Sequence, residues 1–199
     1  MIRIQEIIEL EKGKQKLIFE DGESMQLYRK ESNAYGLQKG MEISEALYED
    51  LLYEVVGKRA KKRAMHLLER QERTEYQLRE KLRQNEYPQE AIEGAIVYVK
   101  KYHYLDDMRY ACTFVRCQCE KRSKRRIEQD LMKRGIAKEI IQEALELEGH
   151  EDETESIGRL LVKKGYHSEM EREEAYKIYQ FLLRKGYRAE DIRRAMERM

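Results

Sequence analysis

Apolar residues recur at helical spacing along most of this chain, and a fifteen-residue phrase carrying them appears three times. The copies are Leu82–Ile96 (LRQNEYPQEAIEGAI), Leu131–Leu145 (LMKRGIAKEIIQEAL) and Leu182–Met196 (LLRKGYRAEDIRRAM). Each begins with Leu and has Tyr or Ile at the sixth place. Each then has Ile at the eleventh, Ala at the fourteenth and a large aliphatic at the fifteenth. The start-to-start spacings are 131 − 82 = 49 and 182 − 131 = 51 residues. A period near fifty denotes repeated supersecondary units. Physically the phrase reads as the end of one helix, a tight turn and the start of the next. Gly135 and Gly186 can adopt the left-handed conformation that closes a helix. The first copy has Glu86 at that place, which predicts a more loosely wound turn there. Pro88 is tolerated in the first turn of a new helix. Ile92, Ala95, Ile96 and Val99 then share one face, as do Ile141, Ala144 and Leu145.

The pattern around the phrases predicts the other helices. In Lys58–Arg70, Ala60, Ala64, Leu67 and Leu68 line one face and Lys and Arg the other. Thr74-Glu-Tyr-Gln77 is a capping box for the helix carrying Leu78 and Leu82. Asp106-Asp107 opens a helix over MRYACTFVRCQCEKR. A second helix, RRIEQDLMKRG, leads into the Leu131 phrase. Ser168 to Glu171 reads as a further capping box, opening the helix of Ile178 and Leu182. The acidic stretch 148–156 reads as a flexible joint. The first thirty residues break the helical period. Asp21-Gly22 lies between the β-prone runs Leu17–Phe19 and Met25–Tyr28, a strong hairpin signal. The Ile-rich stretch before them can supply a third strand. A turn-rich connector, AYGLQKGMEIS, leads to Ser44, which can cap a helix over 45–56. The expected organisation is a β-module plus linker helix over 1–57, then repeats over 58–105, 106–150 and 151–199.

Charge sharpens this picture. The 199 residues are 40% charged, yet the formal net charge is only +1. Residues 1–57 hold 7 Lys/Arg against 12 Asp/Glu, residues 58–136 hold 21 against 12, and residues 137–199 hold 12 against 15. The balances are −5, +9 and −3. A basic centre between acidic ends points to a polyanion or an acidic protein surface as partner, against the plainer reading of solvated helix faces. The candidate residues are Arg59, Lys62 and Arg63 in the first repeat, with Lys121, Arg122, Lys124, Arg125 and Arg126 in the second.

Catalytic chemistry finds little support. Gly57-Lys58 lacks the rest of a P-loop, and neither HExxH nor GxSxG occurs. Asp106-Asp107 could hold Mg²⁺ only with further oxygen ligands that no motif marks; acids at a helix start commonly serve the helix dipole. Cys112, Cys117 and Cys119 are odd in number and lack His at ligand spacing, so they read as helix-packing thiols in a reducing compartment. No cofactor is implied, and no apolar run is long enough to span a membrane. Gly-turned helix pairs could also be DNA-reading helix-turn-helix units, but three copies with different exposed residues look like scaffold.

Taken together, Tyr104-Leu-Asp-Asp-Met-Arg-Tyr-Ala111, the basic stretch after it and Ile127-x-x-x-Leu131-x-x-x-Gly135-Ile136 resemble the RecX family of recombination regulators. Thr74-Glu-Tyr-Gln-Leu78-x-x-x-Leu82 and Leu182-x-x-x-Gly186-Tyr187 are similar to that family's first and third repeats. The resemblance implies a mainly α fold of three tandem three-helix repeats in an elongated, curved array, beside the small N-terminal β-module. It implies a cytoplasmic, non-enzymatic protein that binds the RecA–DNA filament and restrains RecA's ATPase and strand exchange. Some relatives also touch DNA, which implies direct phosphate contact by this chain as a further expectation. A monomer is expected. The alternative from another class is a stand-alone nucleic-acid-binding protein working through the basic central repeats.

Overall fold

A computed structural model describes residues 1–149 and 153–199. The flexible joint expected over 148–156 therefore lies partly outside the described residues. The chain forms two compact units, Met1–Asp106 and Asp107–Met199.

The first unit opens with four antiparallel strands: β1 (Ile2–Glu9), β2 (Lys14–Phe19), β3 (Ser24–Tyr28) and β4 (Glu42–Ile43), in the order β3-β2-β1-β4. The hairpin forms where Asp-Gly places it. Asp21 Oδ1 accepts from Glu23 N–H at 3.0 Å, and the strands pair from Lys14↔Tyr28 to Ile18↔Ser24. Alternation along the strands buries Leu17, Phe19, Met25 and Leu27 on one face. The connector is more structured than expected. It follows a short helix, α1 (Arg29–Ala34), and contributes β4, which pairs with the start of β1.

Ser44 caps α2 (Glu45–Glu49), its Oγ accepting from Leu47 N–H at 3.2 Å. The expected linker helix does not stop at residue 56. A π-helical segment over Asp50–Gly57 carries it straight into α3 (Lys58–Arg70). Wider turns rephase the helix, a known use of π segments. Here Leu51, Leu52 and Val56 are buried in the same core as Ile4, Phe19 and Ile43 of the sheet. That core continues through α3, α4 (Glu75–Gln84) and α5 (Gln89–Lys101). Sheet and first repeat therefore share one interior, as expected of small modules that each bury too little alone.

The second unit holds α6 (Asp107–Gln118), α7 (Lys124–Met132), α8 (Lys138–Glu148), α9 (Glu153–Lys163), α10 (Arg172–Arg184) and α11 (Ala189–Glu197). Three-helix repeats thus follow one another: α3–α5, α6–α8 and α9–α11. The second repeat gathers Ala111, Val115, Ile127, Leu131, Ile136 and Ile141 in its core. The third gathers Ile157, Leu161, Ile178, Leu182, Tyr187 and Ile192.

The repeated phrase has a common backbone meaning. In each copy the sixth residue's N–H donates to the carbonyl of the first, and the fifth's to that of the second. The bonds are Tyr87→Leu82 and Glu86→Arg83, Ile136→Leu131 and Gly135→Met132, and Tyr187→Leu182 and Gly186→Leu183. This is the Schellman closure. Glu86 corrects one expectation. It takes φ +56 and makes the same bonds as the glycines, so the first turn is wound as tightly as the others. The left-handed conformation costs a non-glycine residue about 1–2 kcal/mol, which the turn tolerates because Tyr87 packs against the core just beyond it. His103 (φ +57) and Gly165 (φ +69) close α5 and α9 in the same way.

A second correction concerns Ser168. It does not cap a helix. Met170 N–H bonds back to His167 O at 3.1 Å, Met170 packs against the third core, and α10 begins only after Glu171. The turn that seats the half-buried Met170 against the third core takes the place of the local capping pattern. Thr74 and Gln77 do form their capping box.

Candidate functional site

The eight basic residues singled out by charge fall into two places, one in each unit. In the first unit, Arg59, Lys62 and Arg63 project from α3 into a cleft of about 660 Å³. Its opposite wall carries Lys14, Tyr28 and Tyr87. Arg59 is committed internally. It lies 5.0 Å from the Tyr28 ring centroid, donates to Glu31 Oε2 at 2.7 Å and also to the Gln26 carbonyl. With 22% of its side chain exposed, it ties α3 to the edge strand β3. Arg63 Nε donates to Asn85 Oδ1 at 2.9 Å, holding the first Schellman turn. Lys62 is exposed and has no ion pair among the described residues. Burial pushes the Tyr87 phenol's pKa up, against the opposing pull of Arg59 and Arg63. The hydroxyl therefore stays protonated and can donate.

In the second unit, the run Lys121–Arg126 joins the second repeat to the third. Ser123, 1% exposed, caps α7, its Oγ accepting from Arg126 N–H at 3.2 Å. Its own N–H donates to Lys185 O at 3.3 Å, and Lys185 Nζ donates to Lys121 O at 2.8 Å. Arg122 pairs with Asp130, which is 7% exposed, and Arg126 Nε lies 3.5 Å from the same carboxylate. One buried acid thus fixes two of the predicted cations. Lys121, Lys124 and Arg125 carry side chains with no ion pair among the described residues.

Two ionisable groups report on this junction. Lys185 has its pKa lowered, first by burial and then by Arg122, Lys163 and Lys164, a sign of an electropositive neighbourhood. Glu153, at the start of α9, accepts the Lys124 N–H at the start of α7. Burial raises its pKa, partly opposed by that hydrogen bond. The folded state therefore holds the proton more tightly than the unfolded chain does. The group's stabilising contribution is present at low pH and is lost as pH rises through the folded pKa. Glu153→Gln keeps the accepting oxygen and removes the ionisation. It should melt above the parent at pH 7, with the gap narrowing at pH 5. A gap that widens on acidification would show the sign to be wrong.

Charge counting over 137–199 hid three further cations. Arg184, Arg188 and Arg193 line one groove with Arg125 and Arg126. They stand at the third, seventh and twelfth places of the third phrase, and their proximity to α7 is tertiary. The visible signal was the phrase itself, which carries Arg at all three places in this copy alone.

Among the described residues the other candidate chemistry does not assemble. Among the described residues no three His, Cys, Asp or Glu side chains converge as a metal site. None of the three cysteines forms a disulfide among the described residues; Cys112 Sγ lies 3.8 Å from Met108 Sδ, a packing contact within α6. No helix among the described residues is long and apolar enough to cross a membrane.

Comparison with known proteins matches three family models in tandem: the RecX first three-helix domain over residues 60–98, the second over 106–145 and the third over 151–196. Regulatory protein RecX of Caldanaerobacter subterraneus subsp. tengcongensis is 37% identical over 164 residues, covering 81% of this chain and 83% of that protein. Regulatory protein RecX of Clostridium acetobutylicum is 35% identical over 111 residues, 56% of this chain and 52% of that protein. Among solved structures, a crystal structure of regulatory protein RecX matches with TM-score 0.64 at 23% identity, covering 99% of this chain and all of that one. RecX from Lactobacillus salivarius matches with TM-score 0.60 at 24% identity, over 72% of this chain and 96% of that one.

Proposed function

The chain belongs to the RecX family of regulatory proteins, and from that premise we propose that it binds the RecA–DNA filament in the cytoplasm and restrains it. Bound there as a monomer, it lowers RecA's ATPase and strand-exchange activities in recombination and repair. The observation that carries this reading is the complete tandem of three RecX domains on a chain whose described residues assemble no metal centre. Such a protein acts by occupying a surface, and its basic side chains supply the electrostatic part of the contact.

The eight candidate residues divide by role. Arg59, Arg63, Arg122 and Arg126 already hold partners within the chain and serve to shape the surface. Lys62, Lys121, Lys124 and Arg125 carry the contact, because their ammonium and guanidinium groups are not spent on internal ion pairs. Exposed pairs of this kind contribute modestly one by one and steer association together.

The test is RecA's DNA-dependent ATPase at fixed salt with increasing amounts of this protein. The rate should fall as protein is added, and a variant with Lys62, Lys121, Lys124 and Arg125 all changed to Gln should need more protein for the same effect. An unchanged rate at stoichiometric protein, with tight binding to naked DNA, would instead mark a stand-alone nucleic-acid-binding protein.

A further inference from the structure

The cleft in the first unit is built like a small-molecule site. Its volume of about 660 Å³ falls within the range of about 300–1,000 Å³ usual for pockets that hold metabolite-sized ligands. Strand β3, helix α3 and the first phrase's turn wall it. Leu27 and Val56, both buried, supply apolar surface, and Tyr28 and Tyr87 supply aromatic rings. The walls are braced from behind. Arg59 is held by Glu31, the Gln26 carbonyl and the Tyr28 ring, and Arg63 by Asn85. Gln26 Nε2 donates to Glu86, and Lys16 Nζ lies 3.8 Å from the same carboxylate. Side chains fixed in this way lose little freedom when a ligand enters. The charges do not cancel. Glu31 answers Arg59 and Lys16 answers Glu86, which leaves Lys14, Lys62 and Arg63. Lys14 Nζ and Arg63 Nε donate to the neutral amides of Gln26 and Asn85, and Lys62 is exposed without an ion pair among the described residues.

We propose that this cleft binds a small aromatic acid, a planar ring bearing a carboxylate. The apolar floor and the two tyrosines take the ring, since aromatic groups bury much area and pack edge-on or offset against one another. The cations and the Tyr87 hydroxyl take the carboxylate. A carboxylate, and not a phosphate, follows from the donors left over. Guanidinium forks are the groups that match phosphate oxygens in pairs. Both guanidinium groups of the cleft already have partners within the chain. The freest donors on its lining are the ammonium of Lys62 and the Tyr87 phenol, which burial keeps protonated. These are single donors, and an ionised carboxylate accepts one on each oxygen. The inference rests on neither RecA nor nucleic acid, and its test leaves both out.

The full chain, isotope-labelled for NMR, is titrated with indole-3-acetate and followed by its backbone amide resonances. The amides of Tyr28, Lys62 and Tyr87 should shift along one saturation curve, with a Kd of about 1 mM, the ordinary affinity per atom for a ligand of this size. Acetate lacks the ring, and tryptamine carries an ammonium in place of the acid; each should bind at least about tenfold more weakly. Tyr87→Phe keeps the ring and removes the donor, and should raise Kd about three- to tenfold, the range for one lost hydrogen bond. Lys62→Gln should raise it by a similar factor. Lys62 is exposed, so this variant should melt with the parent, and it keeps the test decisive if Tyr87→Phe folds poorly. No saturable shift with indole-3-acetate overturns the proposal. So does a response to inorganic phosphate as strong as that to the aromatic acid, which would make the cleft an anion site indifferent to the ring. Parent affinity in both variants overturns it as well, because the ligand would then sit elsewhere.

Discussion

Replacing Leu131 with alanine should destabilise the second repeat by about 2–5 kcal/mol, the usual range for emptying a buried leucine site. Leu131 is 0% exposed and opens the second copy of the phrase, where helix α7 ends. Its side chain belongs to a small core with Val115, Ile127, Ile136 and Ile141. In so small a core little neighbouring material can collapse into the vacated space, so the upper half of that range is expected. A whole domain is stable by only about 5–15 kcal/mol, so the repeat should lose cooperative structure well before the parent in urea. Ile141→Ala, on the facing helix α8, should behave alike. Met132→Ala, one residue along and 44% exposed, should stay within about 0.5 kcal/mol of the parent. The phrase predicts that contrast, since it places Leu at its first position and varies the second. Parent-like unfolding of both buried variants would mean that the first position of the phrase is not a core position.

Much of this architecture was legible because local chemistry and tertiary need agree. Asp21-Gly22 marks the hairpin, Thr74 and Gln77 cap α4, and the phrase's Leu, Ile and Ala positions are the buried ones. The failures have physical causes. Glu86 and His103 adopt a backbone region that side chains usually avoid, held there by the Schellman bonds and by the packing of the residue that follows, so no glycine announces those turns. The Ser168 pattern yields to the turn that packs the half-buried Met170 against the third core. The π segment over Asp50–Gly57 is a response to the sheet lying beside it, and periodicity in one segment carries no trace of its neighbour. The candidate site was only partly legible for the same reason. Net charge located the run Lys121–Arg126, yet only coordinates separate Arg122 and Arg126, spent on Asp130, from Arg125, which is not. The arginines facing Arg125 lie about sixty residues further along, inside a segment whose overall balance is acidic.

The junction between the second and third repeats should be sensitive to a single added methyl group. Gly186 has φ +93, and a Cβ there would stand 2.5 Å from Ser123 Oγ and 3.0 Å from Arg126 Cβ. Gly186→Ala therefore meets two costs at once. The left-handed backbone costs alanine about 1–2 kcal/mol. Relieving the contact pushes Ser123 from its place over the first turn of α7, and losing a cap costs about 1 kcal/mol more. The sum is about 2–3 kcal/mol. Gly165 closes α9 with φ +69, but a Cβ there would meet nothing within 4 Å. Gly165→Ala should pay the backbone cost alone. The difference between the two variants isolates the approach of the third repeat's turn to the Ser123 cap. That approach also holds Arg184, Arg188 and Arg193 in one groove with Arg125 and Arg126. Equal melting losses in the two variants would show that the turn around Gly186 does not press on the Ser123 cap.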